Sequence, residues 1–495
     1  MRADPVPAPA RPARGFATAA GWWPLAVVAT AHLMAILDTT VMFVALPSAQ
    51  QALGLSVAGR QWVITAFTLA FAAVLLPGGR LADRFGARRT LLAGVIGFAC
   101  ASAVGGAATG GAMLIAARAV QGAFGAVLVS STKSVLVTVY SDEARRARAV
   151  GIFTATLTGG AAAGLVLGGV LTSELGWRWC LYVNVVLAAA AVTGALLAVP
   201  EVPGRPAVRI DVASAALACA GMAALVYGFG EVPDFGWASA GVAGSLTAAA
   251  VLLGLFGVRQ AAAASPLLPL RVLRDRDRGG ALAAMVVNSL STFGMLLILT
   301  YQLQAVMGYS ALRTGLALIP FAATAALGAA LIAPFLAARV SPRWLIAAGL
   351  VLSAAGLAPL TALTASSRYL PLVAVAEIIE GLGTGIGGPP MLQTALGRVL
   401  AADTGAAAAA SSAAAQLGSS VGAALLNTIA ATAAAAYLAG HAAVGQAGAN
   451  VHGYAVAMAW GAGILLAAVI PVVALVRAGK PATGRNARFA RSGGG

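Results

Sequence analysis

Three features of this 495-residue chain predict an all-α polytopic membrane protein of 14 transmembrane helices, with two pseudo-repeated six-helix bundles flanking an inserted helix pair. The first is a set of fourteen apolar stretches, each long enough to cross a hydrocarbon core of about 30 Å. The second is charge. When every Lys and Arg is assigned to a connecting loop, starting with the amino terminus inside, 25 of the 31 fall on the cytoplasmic side. Four lie outside (Arg60, Arg178, Arg313, Arg368) and two lie within helices (Arg118, Lys133). Cationic loops resist translocation, so this bias sets the orientation, with both ends in the cytoplasm. It also supports the helix count, because one missed or invented helix would invert every later loop. The third is internal repetition: Leu81-Ala-Asp-Arg-Phe-Gly-Ala-Arg88 matches Leu336-Ala-Ala-Arg-Val-Ser-Pro-Arg343 at an offset of 255 residues, and Ala117-Arg-Ala-Val-Gln-Gly122 matches Ala376-Glu-Ile-Ile-Glu-Gly381 at an offset of 259. Repeated halves with a site between them are the architecture of secondary transporters, because two bundles can rock around a central cavity.

The elements follow in order. Residues 1–21 carry Pro5, Pro7, Pro9 and Pro12 with three arginines and are expected to be a disordered basic tail. The apolar stretch 22–45 is too long for the core of a cleavable signal and is expected as helix 1, closed by Pro47. Helices 2 to 6 are expected at 60–79, 90–108, 112–138, 149–172 and 180–199, forming an N-terminal bundle over 22–199. An inserted pair at 211–229 and 240–258 follows, spanning 211–258. Helices 9 to 14, at 280–301, 313–336, 344–363, 369–392, 405–437 and 454–477, form the C-terminal bundle over 280–477. The long apolar runs of helices 4 and 13 are expected to include a loop or a tilt. Residues 478–495 form a second basic, Gly-rich tail.

Composition excludes several function classes. The chain is 60% hydrophobic and 9% charged with a mean hydropathy of +0.90, too few charges to cover a water-soluble surface of this size. The net charge of +16 is spread over short loops without an aromatic-interleaved patch, so anionic lipid headgroups, not nucleic acid, are the expected partner. Cys100, Cys180 and Cys219 are odd in number and lie in or beside apolar segments, which reads as small buried side chains and not a disulfide framework. His32, His441 and His452 are scattered, which argues against a metal centre, and no Gly-x-x-x-x-Gly-Lys-Ser/Thr loop is present for an ATP-driven pump. No enzymatic activity and no cofactor are expected.

The chemistry-bearing residues are the intramembrane ones. Asp38 lies within helix 1, where an ionised carboxylate costs about 2.5–3.5 kcal/mol on insertion scales, so it faces the bundle interior or a wet cavity. A buried acid that binds and releases a proton is what proton coupling requires; the alternative is a structural hydrogen-bonding partner. Arg118 is its expected counterpart. Asp38 sits roughly 24 Å from the inner end of its helix and Arg118 roughly 9 Å from the outer end of its own, depths that nearly coincide across about 30 Å. The pair either breaks on protonation or locks the bundle permanently. Glu377 and Glu380, three residues apart on helix 12, either form a second proton site or cationic-substrate binder, or pair with arginines without a dynamic role. Lys133 is expected to snorkel to the inner interface, and His32 is either a proton relay or a packed histidine. Gly79, Gly86, Gly122, Gly125, Gly164, Gly168 and Gly169 stand where helices approach closely or turn sharply.

At these residues the chain resembles the 14-helix drug–proton antiporter family of the major facilitator superfamily. Leu37-Asp-Thr-Thr-Val41, running on to Ala45-Leu-Pro47, is similar to that family's helix 1 motif. Gly79 through Arg89 resembles the superfamily's loop 2–3 signature, Leu114 through Arg118 with Gln121 and Gly122 the helix 4 motif, and Trp177-Arg-Trp179 with Asn184 the segment entering helix 6. The resemblance covers essentially the whole chain. It implies a major facilitator fold, Asp38 as proton-coupled acid with Arg118 as its electrostatic partner, and a cytoplasmic gate of Asp83, Arg84 and Arg88 flanked by Gly79 and Gly86. In the second half Ala338 replaces the corresponding acid, so the gate is expected to be asymmetric. The helix 5 antiporter motif is represented by Gly160, Gly164, Gly168 and Gly169, but Leu165 stands where the motif has proline, and glycines permit a kink without forcing one. The expected function is proton-coupled export of small amphipathic or hydrophobic compounds, a drug or antibiotic, by a monomer in the cytoplasmic membrane. The departure at Leu165 keeps proton-coupled uptake or facilitated transport of a small metabolite as an alternative. A membrane-embedded enzyme or sensor is the third reading, and the scattered histidines and missing soluble output domain disfavour it.

Overall fold

The computed structural model describes residues 22–140, 149, 160, 163–201, 203–204, 211–236, 238–263, 275–397 and 404–477. The two expected tails, 1–21 and 478–495, and most of the first half of helix 5 lie outside the described residues, as do the side chains of Asp83 and Lys133. Among the described residues all regular structure is helical.

Pro47 does not close the first helix. α1 runs Trp23–Leu53 through that proline and stops at Gly54, whose φ of 61° gives the left-handed cap that glycine adopts without a Cβ penalty. A proline inside a membrane helix forfeits one backbone N–H, and neighbouring helices absorb the disturbance. α2 (Val57–Phe85) begins at Ser56, whose side chain accepts from the Gly59 N–H, and ends at Gly86. Gly86, with φ 91°, supplies the reversal into α3 (Ala87–Gly106). α4 (Gly111–Val139) and α13 (Thr404–Gly440) are each uninterrupted, so the loop that their length suggested is absent. At 1.5 Å per residue the 37 residues of α13 reach about 55 Å, which a bilayer accommodates by tilt and by projection beyond the lipid. The described part of α5, Ala163–Leu175, closes with a π-helical turn at Leu171–Leu175. α6 (Trp179–Ala198), α7 (Val212–Phe235), α8 (Ala240–Ala262) and α9 (Arg276–Tyr301) follow. α10 (Ala311–Ala337) is interrupted at Leu318, just before Pro320. α11 (Pro342–Leu357), α12 (Tyr369–Leu396) and α14 (Gly445–Leu475) complete the set. Twelve described helices satisfy length and hydropathy limits for crossing a membrane, and the shorter apolar stretches Gly59–Leu75 of α2 and Ala163–Leu175 of α5 supply the remaining two.

The repeat seen in the sequence is reproduced in the packing. α4 lies against α1, α2 and α3, and α12 correspondingly against α9, α10 and α11. α6 packs on α1 and α3, and α14 on α9 and α11. The close approaches recur residue for residue. A Cβ on Gly122 would collide with the Phe67 carbonyl, and one on Gly381 with the Phe321 carbonyl. Likewise Gly94 abuts the Leu128 backbone and Gly349 the Gly387 backbone. These pairs are separated by the same offsets, near 255 for the first partner set and 259 for the second, as the sequence repeat.

Two seams join the halves. α2 packs along α13, with α7 laid beside both and receiving a bond from Thr428 Oγ1 to the Phe229 carbonyl at 2.8 Å. On the other side α5 meets the start of α10, where Leu312 N–H donates to Ser173 Oγ at 3.0 Å. Near mid-helix, Ser420 Oγ donates to Thr68 Oγ1 at 2.5 Å. At the arginine-poor end a polar cluster closes the molecule: Arg60 Nη2 donates to Asn427 Oδ1 (2.6 Å) and stacks on the Tyr301 ring at 4.1 Å. Tyr301 Oη donates to Gln50 Oε1 (2.6 Å), and Gln304 Nε2 to the Val44 carbonyl (2.9 Å).

The inserted pair is clasped at its polar end. Asp211 caps α7 through the Ser214 N–H (3.1 Å) and pairs with Arg259 of α8 at 3.0 Å, and these donors hold its carboxyl down to about 2. A depressed folded-state value means that the clasp is intact above the ordinary aspartate range and is lost as pH falls through it toward about 2. Because Arg259 is exposed, the expected gain is small, under about 1 kcal/mol. Protection of the amides in the first turn of α7, taken as exchange relative to the intrinsic rate at each pH, should therefore fall on acidification, and Asp211→Asn should show the lower protection already at neutral pH.

Candidate functional site

Asp38 sits on the inward face of α1, 2% exposed, ringed by polar side chains from three other helices of the first half. Arg118 Nη1 of α4 forms an ion pair with Asp38 Oδ2. Gln121 Nε2, one turn further along α4, donates to Asp38 Oδ1 at 2.7 Å, and Asn184 Nδ2 of α6 donates to the same oxygen at 2.8 Å. Gln121 Nε2 also reaches Ser102 Oγ of α3 at 2.6 Å. Arg118 is 1% exposed, donates through Nε to the Val63 carbonyl (3.2 Å), through Nη1 to Gln121 Oε1 (2.7 Å), and lies 4.3 Å over the Phe67 ring. The carboxylate thus has three donors and the guanidinium three acceptors besides a π face. Such a buried pair is tolerated only with this degree of hydrogen bonding, and removing the charge on one partner unbalances the whole set. The Asp38 carboxylate thereby ties α1 to α4 and α6 together.

The helix 5 glycines stand directly behind this cluster. Gly164 packs on Leu37 and Thr40 of α1, and Gly168 lies against the Val41 backbone, where an added Cβ would come within 2.8 Å of its Cα. Gly160 meets Leu33 one turn earlier. Gly169 faces the other way, onto the Ala311 and Leu312 backbone of α10 in the second half. Leu165, in the place of the motif's proline, is buried, and its carbonyl is approached by Gly315 of α10. The glycine face makes these contacts without a proline, and the departure from helical geometry falls beyond it, in the π turn.

The remaining expected site residues lie apart from Asp38. Glu377 and Glu380 of α12 are fully buried in the second half. Glu380 Oε1 accepts from Thr292 Oγ1 of α9 (2.7 Å) and Thr384 Oγ1 (3.2 Å), and Glu377 Oε2 lies 3.2 Å from Tyr369 Oη. Among the described residues neither glutamate forms an ion pair, and one oxygen of each, Glu377 Oε1 and Glu380 Oε2, has no partner. Around the loop between α2 and α3, Arg88 Nη2 donates to the Leu196 carbonyl of α6 (2.9 Å), and neighbouring Arg89 pairs with Glu201 at 2.5 Å on the surface. Arg84 is exposed beside the Phe85 ring, Gly79 lies in the last turns of α2, and the Asp83 carboxylate falls outside the described side chains. His32 lies 3.3 Å from Thr132 Oγ1 of α4. Cys100 is exposed on its helix, against the expectation of burial, while Cys180 is buried. A cleft of about 630 Å³ between α13 and α14, lined by Thr432, Val456 and Trp460 among others, carries no charged side chain and takes no residue from the first half.

Ser102, Tyr369 and the Arg60 cluster were not singled out from the sequence. Ser102 and Tyr369 are common residue types in apolar helices, and only the fold reveals what they face. Arg60 carried a signal, being one of four cations outside, but its partners come from α9 and α13, hundreds of residues away.

The Major Facilitator Superfamily profile matches residues 28–423, covering nearly all of the first bundle, the inserted pair and most of the second bundle. The chain belongs to the Major Facilitator Superfamily. Among curated relatives of this superfamily, the puromycin resistance protein of Streptomyces alboniger is 42% identical over 449 residues, 90% of this chain and 89% of the relative. The cephamycin export protein of Amycolatopsis lactamdurans is 39% identical over 386 residues, 77% and 79% of the two chains. Among solved structures, an inward-facing, unoccupied bacterial homolog of the human lysosomal transporter Spinster superposes with a TM-score of 0.66 at 17% identity, covering 94% of this chain and 98% of that one. That superposition bears on the fold alone, and it agrees with the major facilitator arrangement built above.

Proposed function

We propose that the protein exports small amphipathic or hydrophobic compounds, drugs or antibiotics, across the cytoplasmic membrane in exchange for protons. The observation that carries this reading is the buried Asp38–Arg118 pair with its Gln121 and Asn184 donors, in a chain 42% identical to a puromycin resistance protein. The arginine-rich loops face the cytoplasm, with both termini there, and the Arg60 cluster marks the outer end. The protein acts as a monomer on a small molecule and protons and needs no cofactor.

The cycle is alternating access. With the outer end closed, as the Arg60–Tyr301–Gln50 contacts hold it, compounds enter between the halves from the cytoplasm or inner leaflet. Ionised Asp38 keeps α1, α4 and α6 drawn together around Arg118. Once the outer end opens, an external proton neutralises Asp38, the ion pair loses its charge attraction, and α1 relaxes against α5 and so against α10 across the seam. Returning inward releases the proton. Uptake, the reading that Leu165 left open, is disfavoured because the glycine contacts of α5 form without the proline.

Cells expressing the protein should accumulate less puromycin than cells without it, and a protonophore should erase the difference. Higher accumulation on expression would instead establish uptake.

A further inference from the structure

We propose that Glu377 is a second proton-binding group whose state is transmitted through the Tyr369 hydroxyl to the outer seam between the two halves. The inference rests on the proton-coupled export reading for its place in the cycle, but the geometry that supports it is independent of Asp38.

Tyr369 Oη lies between two acceptors, 2.7 Å from the Ala317 carbonyl and 3.2 Å from Glu377 Oε2. A phenol has one proton to donate, and a carbonyl can only accept. With the phenol proton given to Ala317, the contact to Glu377 is a hydrogen bond only if the carboxyl supplies the proton. The observed arrangement is therefore satisfied by a protonated Glu377. An ionised Glu377 makes a stronger, charge-assisted acceptor than a carbonyl and would draw the phenol proton to itself. The Ala317 carbonyl would then lose its donor.

That carbonyl is not an ordinary one. It ends the segment Ala311–Ala317, where the helical hydrogen bonding of α10 is interrupted at Leu318 and Pro320 follows. The same short segment forms the second-half face of the outer seam. Its Leu312 N–H donates to Ser173 of α5, its Gly315 lies on the Leu165 carbonyl, and its Ala311 and Leu312 backbone receives Gly169. On the opposite face of α5, Gly164 and Gly168 rest on Thr40 and Val41, within a turn of Asp38. Tyr369 is thus a latch on a piece of α10 that docks against the other half. Protonated Glu377 keeps the latch on Ala317 and the seam closed; ionised Glu377 frees the segment and favours opening. That sign suits a protein that faces outward to collect protons.

Glu377 is the carboxyl that touches the Tyr369 hydroxyl, whereas the other buried carboxyl of α12, Glu380, is held by Thr292 and Thr384. Tyr369 is the titratable side chain facing Glu377 from the start of α12, and Glu380 lies one turn along the same helix. α9 presents Asn288 and Thr292 to this region, α11 presents Ser353 and Gly356, and α10 presents Thr324, none of them charged. Behind Tyr369 stands Tyr309, with Arg313 stacked 3.8 Å over its ring.

The test uses full-length protein in nanodiscs, with Cys100, Cys180 and Cys219 replaced and spin labels at Leu175 and Leu316, two exposed positions on either side of the seam. Pulsed dipolar distances are read at acidic and alkaline pH without any transported compound. Wild type should show a short distance at acidic pH that gives way to a longer one at alkaline pH. Glu377→Gln, whose amide donates permanently, should hold the short distance at both. Tyr369→Phe should lose the pH response and show the longer distance at both. Asp38→Asn should keep the response. A pH response retained by either Glu377→Gln or Tyr369→Phe overturns the latch, as does its absence in wild type. Since no compound is needed, this result and the export assay fail independently.

Discussion

Asp38→Asn should abolish proton-driven export while leaving a folded, membrane-inserted protein. The asparagine is nearly isosteric, and its amide oxygen can still accept from Gln121 Nε2 or Asn184 Nδ2, both within 2.8 Å of the native oxygen. What disappears is the carboxyl proposed to carry the exchanged proton. Arg118 is left as a buried cation without its counter-ion, which costs about 3–5 kcal/mol where nothing else compensates. Here the Val63 carbonyl, Gln121 Oε1 and the Phe67 ring remain, so a cost at or below the lower end of that range is expected. Thermal unfolding in detergent should shift down by several degrees, and accumulation assays should match cells without the protein. Arg118→Leu should be inactive as well but closer to wild type in stability, because an unpaired Asp38 can take up a proton and become neutral.

The second large effect is steric. Gly122→Ala should prevent accumulation of folded protein. The added Cβ would collide with the backbone carbonyl of Phe67, and a carbonyl in the middle of α2 cannot rotate away as a flexible side chain would. Overpacking of this kind costs about 1–3 kcal/mol when side chains can adjust, and more where backbone is the obstacle. The damage would be felt at the site too, since Gln121 and Arg118 are neighbours on the same helix and Phe67 lies under the guanidinium. The counterpart Gly381→Ala should behave alike against the Phe321 carbonyl. Gly241→Ala, with nothing within 4 Å, should be neutral, and fluorescence-detected size exclusion would separate the three.

Much of the fold was legible because a bilayer restricts the choices. Apolar stretches become helices, arginines sort the loops, and the two offsets of the repeat reappear as the Gly122–Phe67 and Gly381–Phe321 approaches. The ends were less legible: α1 continued through Pro47 because lipid and neighbouring helices enforce helical bonding where water would compete for it. Conversely, α10 breaks at Leu318, next to a proline that the hydropathy pattern does not distinguish from that of Pro47. At the site, Asp38 and Arg118 stood out because charge inside an apolar helix is costly. Ser102 and Tyr369 carry no such mark, and the groups they bridge become neighbours only when the helices assemble.

The central claim is that Asp38 carries the exchanged proton, and it is tested most directly with purified protein in proteoliposomes holding a pH-sensitive dye, challenged with puromycin under an imposed proton gradient. Wild type should move protons against puromycin, and Asp38→Asn should leave the dye unchanged by puromycin. Puromycin moving without proton flux, or the Asp38→Asn protein moving protons as wild type does, would contradict it.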